Sequence, residues 1–158
     1  MLLEAELLDN RTGHQVGRLL LERLYLRATG EPLPEISVTS RGKPYFANSP
    51  WHFSISHTQN HAFCCLSKHN VGLDGEEIGR SVSPALIDRW LSPSEKARLG
   101  DDPADAFLRL WVLKEAEAKL RGCGLGNWMQ STDFRPDDPR IQIIDGCYVA
   151  VLEESNAI

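Results

Sequence analysis

The residues best suited to chemistry are acids and cations on two segments far apart in the chain. In Val71-Gly72-Leu73-Asp74-Gly75-Glu76-Glu77, Asp74 and Glu76 are two positions apart, so on a strand both carboxylates point to one face. Such a pair can grip a cation, and Gly72 and Gly75 leave room for a ligand or another backbone to come close. The second segment runs from Trp111 to Lys119 and places Trp111, Glu115 and Lys119 on one helical stripe. An acid and a base then share a face. Each segment also has a plain account when read alone: a solvated hairpin face for the first, a stabilising Glu–Lys pair for the second.

Two further cations stand in suggestive places. His57 follows Ser56 at the end of an alternating segment, where a ring nitrogen and backbone amides could bind phosphate, and Lys43 sits in a Gly-Lys-Pro turn. His52, His57 and His61 are spaced by five and four residues, which matches no standard zinc pattern, so an oxygen-ligand metal fits the chain better. The glycine-rich run Gly122-Cys123-Gly124-Leu125-Gly126 follows a helix and lacks the strand–loop–helix setting of a phosphate loop.

The elements that must position these groups are legible in outline. Val16, Leu19, Leu20, Leu24 and Ala28 recur at helical spacing between His14 and Thr29, with Gly30 as the stop. Strands are predicted at 36–39, at 53–56, and at 62–67 and 71–76, the last two as a hairpin around Lys68-His69-Asn70. Ser83-Pro84 and Ser92-Pro93-Ser94-Glu95 start two short helices, the second with a capping-box Glu. Asp102-Pro103 opens the longest helix, which ends near Arg121, and Asp145-Gly146 marks a type I′ hairpin between 141–144 and 147–152. A strand-rich order interrupted by helices suits an α+β fold.

Length and charge narrow the classes. The chain has 158 residues, enough for one domain or two small lobes sharing a core. A net charge of −5 argues against broad nucleic-acid binding, so an anionic ligand must meet a local basic patch. The start of the chain carries no basic segment ahead of an apolar stretch, and no run is long and apolar enough to span a membrane. Cys64, Cys65, Cys123 and Cys147 lack paired metal spacing and read as plain thiols in a reducing cytoplasm.

Taken in order, Gly42-Lys43-Pro44, Phe53-Ser54-Ile55-Ser56-His57, Val71 to Glu76 and Trp111-x-x-Lys114-Glu115-x-x-x-Lys119 resemble the motifs of the 4′-phosphopantetheinyl transferase superfamily. They are most similar to the surfactin-synthetase and enterobactin type of holo-acyl-carrier-protein synthase. The resemblance implies two similar α+β lobes related by a pseudo-twofold, roughly 1–75 and 76–158 of one domain, with coenzyme A and Mg²⁺ in the cleft between them.

It also implies an activity: transfer of 4′-phosphopantetheine from coenzyme A to a serine of an apo acyl, peptidyl or polyketide carrier protein, with release of 3′,5′-ADP. By the same resemblance Asp74, Glu76 and Glu115 ligate Mg²⁺, and His57 and Lys119 hold the pyrophosphate. Arg41, Gly42, Lys43 and Pro44 line the adenosine end, Ser56 touches phosphate, and Glu115 is the general base. The pathway would be fatty-acid, polyketide or peptide synthesis. Arg89, Lys96, Arg98 and Arg109 are candidate docking cations for an acidic carrier. The chain departs from the pattern in its Leu- and Glu-rich start and in Gly13, which stands where the class usually has Arg; Arg11 and His14 are the nearby cations. A non-catalytic homologue that binds coenzyme A or the carrier is the alternative reading.

Overall fold

Three alternating segments build the first sheet: β1 (Leu2–Leu7), β4 (His52–His57) and β5 (His61–Ser67), in the order β1-β5-β4 and all antiparallel. The computed structural model describes residues 1–155. β1 is a strand that pattern alone does not announce, because Leu-Leu-Glu-Ala-Glu-Leu suits a helix as well. Its Glu4 and Glu6 face the helix α1 (Gly13–Thr29) and pair with Arg23 and Arg27, while Leu3 and Ala5 face the opposite side. α1 starts at a Thr12–Gln15 capping box and ends at Gly30, and its Val16, Leu20, Leu21 and Leu24 are fully buried against the sheet. A two-stranded ribbon, β2 (Ile36–Val38) with β3 (Pro44–Phe46), carries the Arg41–Lys43 turn at its tip.

The second sheet holds β6 (Val71–Glu77), β7 (Ile141–Ile144) and β8 (Cys147–Glu153), in the order β6-β8-β7. Between β6 and β7 come α2 (Pro84–Trp90), α3 (Pro93–Lys96), the long α4 (Pro103–Arg121) and a 3₁₀ turn at Asn127–Ser131. Both sheets therefore repeat one connectivity, a strand, a long helix and a returning hairpin whose last strand lies in the middle. Mixed sheets and helices make the fold α+β, as expected.

One expectation is corrected. The strands 62–67 and 71–76 are not a hairpin: β5 bonds to β1 and β4, and β6 bonds to β8 along its whole length. The second sheet thus opens at Val71, ahead of the approximate division at 75/76. The reason lies in the side chains. Phe63 and Cys65 of β5 meet Val71, Leu73, Val149 and Val151 as facing layers of a buried cluster, so the two sheets stack there and the chain crosses between them at 68–70.

Where β6 passes β4, hydroxyls replace a ladder. Ser54 Oγ accepts from the Leu73 amide at 3.0 Å and Ser56 Oγ accepts from the Gly75 amide at 3.2 Å. Two buried edge amides are satisfied in this way. On its other face β6 lies directly against α4. A Cβ on Gly72 would stand 2.0 Å from the Ala116 carbonyl oxygen, so only glycine permits this approach; on the opposite face a Cβ on Gly75 would strike the Phe63 ring. The room beside the acids is filled by the protein's own helix and core.

Candidate active site

Because side chains alternate along β6, Asp74 and Glu76 share the Gly72 side and face α4. α4 offers Glu115 and Lys119 on one stripe, one turn apart. Lys119 Nζ reaches Asp74 Oδ1 at 3.1 Å and the Ile55 carbonyl at 3.3 Å. Ser56 Oγ donates to the same Asp74 oxygen at 3.0 Å. Four of the predicted residues, Ser56, Asp74, Glu115 and Lys119, thereby gather where β4, β6 and α4 meet.

The carboxyls feel both burial and one another. Burial raises Asp74, against the pull of Lys119. Burial and then Asp74 raise Glu76, which also pairs with Arg80 at 3.4 Å. Burial first, with Asp74 and Glu76 adding repulsion, pushes Glu115 up to about 7. A carboxyl balanced near neutrality in a cleft can exchange a proton at working pH.

An oxygen-seeking divalent cation fits this set. All three donors are carboxylates, the class Mg²⁺ prefers. Asp74 Oδ2 is buried with no hydrogen-bond partner, an orphan lone-pair site that a cation would satisfy. The repulsion that raises Glu76 and Glu115 would be relieved by positive charge among them. The three acids nevertheless do not draw their oxygens within 4.8 Å of one another, a distance met among the described residues only by His61, Glu77 and Cys147. Lys119 holds one Asp74 oxygen.

Beside the acids opens a cleft of about 330 Å³. Arg41, Gly42, Lys43 and Pro44 line one wall, and Glu115 and Lys119 line another. The expected adenosine-end residues and the helix pair therefore share one cavity. Lys43, however, is not a free cation: its Nζ donates to Asn70 Oδ1 at 2.6 Å and to the Leu120 carbonyl at 3.0 Å, and burial lowers its pKa. Arg41 is exposed at the rim and remains available to an anion.

His57 stands outside the lining of this cleft. Its ring lies on Gly13 at the start of α1, so closely that a Cβ there would be 2.2 Å from the ring carbon Cγ. Gly13 and His57 are thus one packing unit. Gly122, Cys123, Gly124 and Leu125 do line the cleft, although they follow α4 and form no strand–loop–helix motif. Their signal was the glycine stop of the helix that carries Glu115 and Lys119.

Lys114, the remaining charge of the motif, points away from the cleft. It is wholly buried, pairs with the equally buried Glu95 at 2.6 Å, and donates to the Met129 carbonyl and Thr132 Oγ1. Glu95 Oε1 also caps the Ser92 amide and its Oε2 accepts from the Phe134 amide, so one ion pair ties α3, α4 and the 3₁₀ turn together. Of the candidate docking cations, Arg98 pairs with Asp133, Arg109 with Asp105 and Lys96 with Asp88. Among the described residues, Arg89 is the one of the four without a carboxylate partner. No described helix is long and apolar enough to cross a membrane.

Comparison with known proteins agrees with the geometry. Residues 70–149 match the family model of the 4′-phosphopantetheinyl transferase superfamily, a span that includes Asp74, Glu76, Glu115 and Lys119. The chain is similar to a 4′-phosphopantetheinyl transferase of Bacillus subtilis, 32% identical over 87% of this chain and 67% of the relative. It is similar also to AcpT of Escherichia coli O157:H7, 37% identical over 66% of this chain and 57% of the relative. Sfp of Bacillus subtilis (strain 168) is 31% identical over 74% of this chain and 57% of its own length. The chain spans about half to two thirds of the length of the curated relatives it matches. With a matched segment that holds the acid pair on β6 and the Glu–Lys stripe on α4, the chain belongs to the 4′-phosphopantetheinyl transferase superfamily.

Proposed function

We propose that the chain transfers the 4′-phosphopantetheine arm of coenzyme A to a serine of an apo carrier protein, with Mg²⁺ at Asp74, Glu76 and Glu115. The observation that carries this reading is the joining of Lys119, Asp74 and Ser56 at the edge of the cleft that Glu115 and Arg41–Pro44 line.

The serine oxygen attacks the β-phosphorus of coenzyme A, a new P–O bond forms, and the bond to 3′,5′-ADP breaks. Glu115 takes the serine proton, directly or through water. Lys119, on the same stripe, offsets charge that develops on the pyrophosphate. Bound Mg²⁺ supplies electrostatic stabilisation of the phosphoryl oxygens. Ser56 and Lys119 both hold Asp74 Oδ1, which leaves Oδ2 as the oxygen that would serve a cation. Arg41 meets the anionic end of coenzyme A, and His57, packed on Gly13, offers a ring nitrogen to phosphate from the α1 side. The setting is cytoplasmic, where fatty-acid, polyketide or peptide carriers are the acceptors, and Arg89 is the free cation offered to an acidic carrier.

The test combines the purified chain with coenzyme A, Mg²⁺ and several apo carriers, followed by mass spectrometry of the carrier serine. A mass gain of one phosphopantetheine that depends on Mg²⁺ is expected. Coenzyme A binding without transfer to any carrier would replace the enzyme by a binding homologue.

A further inference from the structure

On the side of β6 opposite Asp74 lies a second constellation that the transfer reaction does not use. Glu77 and Cys147 face each other as register partners on β6 and β8, and His61 at the start of β5 reaches across from the first sheet. Cys147 is fully buried, His61 nearly so, and Glu77 half-buried. His61 Nδ1 lies 3.1 Å from Glu77 Oε1 and 3.7 Å from Cys147 Sγ, and that sulfur lies 3.4 Å from Glu77 Oε2.

We propose that His61, Glu77 and Cys147 form a site for a zinc-class divalent cation at the junction of the two sheets. The donor chemistry selects the ion: one imidazole nitrogen, one sulfur and one carboxylate suit Zn²⁺, whereas Mg²⁺ takes oxygen ligands. The spacing selects the shape. With Zn–N and Zn–O near 2.0–2.1 Å and Zn–S near 2.3 Å, the edges of a tetrahedral shell are about 3.3–3.6 Å. The three separations observed cluster around those edges, and turning the terminal carboxylate torsion brings a single Glu77 oxygen into place.

Outer contacts hold the ligands in position. Thr58 Oγ1 donates to Glu77 Oε1 at 2.6 Å, and the His61 ring stacks on Phe63. Three protein ligands leave the fourth position to water or an outside group. Burial and Glu77 disfavour a free Cys147 thiolate, and coordination would release the thiol proton to solvent. The site is separate from the Asp74 acids because Glu76 and Glu77 point to opposite faces of β6. Its effect is to fasten β5 to β6 and β8.

The experiment is titration of the metal-free chain of 158 residues with Co²⁺. One equivalent should produce a thiolate-to-cobalt charge-transfer band and tetrahedral visible bands. Zn²⁺ should abolish them and excess Mg²⁺ should not; oxygen-only binding at Asp74 gives no thiolate band. Cys147→Ser should lose the band, and Glu77→Gln should keep it with Co²⁺ affinity at least about tenfold weaker. If Cys147→Ser does not fold, the wild-type titration and His61→Gln decide. Absence of the band in wild type overturns the site, as does a band that persists in Cys147→Ser or is unchanged in His61→Gln.

Discussion

Lys119 Nζ stands 3.1 Å from Asp74 Oδ1, which joins the last turns of α4 to the middle of β6 through a single charge-assisted hydrogen bond. The same ammonium lines the cleft. One cation therefore serves both the acid that would hold metal and the space that would hold pyrophosphate. Lys119→Ala is expected to lower kcat/KM for coenzyme A by about 10²–10³-fold, the range for removal of one preorganised charge donor. Steady-state kinetics on an apo carrier would measure it; a loss smaller than about threefold would remove Lys119 from the reaction.

Glu115 sets a pH dependence whose sign follows from its environment. Its carboxyl moves from 4.5 to about 7 on folding, so between those values the folded chain holds a proton that the unfolded chain has released. Its contribution to stability is full below about 4.5 and is lost as pH rises through about 7. In chelator, thermal unfolding should therefore fall to lower temperature from about pH 5 to about pH 8, and Glu115→Gln should flatten that trend. Added Mg²⁺ should raise the unfolding temperature more at the alkaline end, where the carboxylates are ionised. Glu115→Gln should nearly abolish transfer, as read by mass spectrometry of the carrier serine.

The buried Lys114–Glu95 pair predicts a non-additive pattern. Removing either charge alone strands the other in a dry interior, so Lys114→Met and Glu95→Gln should each cost about 3–5 kcal/mol. Lys114→Met combined with Glu95→Gln should cost less than the sum of the two single losses. Denaturant titrations of the double-mutant cycle would show it. Equal and additive losses would mean that the pair is not coupled.

Close approach at Gly72 gives a steric test. Gly72→Ala places a methyl 2.0 Å from the Ala116 carbonyl and must push α4 off β6, for about 1–3 kcal/mol or more. It should also separate Asp74 from Glu115 and Lys119 and so reduce transfer. Gly124→Ala, which meets nothing within 4 Å, is the control for folding. Circular dichroism melts of the two variants would separate the outcomes.

Much of this was legible because local signals and tertiary roles coincide. Asp145 and Gly146 have φ of 50° and 75°, as their type I′ turn requires, and the capping box at Ser92–Glu95 and the start of α4 at Asp102-Pro103 fall where predicted. Strand and helix periods put Asp74 with Glu76 and Glu115 with Lys119, while grouping the two pairs in one site came from the resemblance of the motifs. What was missed depends on long-range partners. The pairing of the Glu-rich β1 with β5 and the bonds of Lys43 to Asn70 and the Leu120 carbonyl join residues distant in sequence. The packing of the His57 ring on Gly13 has no local signature either, because the two lie on different elements.

The reach of Lys43 to the Leu120 carbonyl spans 77 positions of the chain. On a ribosome, the loop that presents Arg41 therefore emerges long before the helix end that anchors it. The cleft would set only after α4 has emerged, and a nascent chain halted before α4 would display its basic tip without the wall that Glu115 and Lys119 supply.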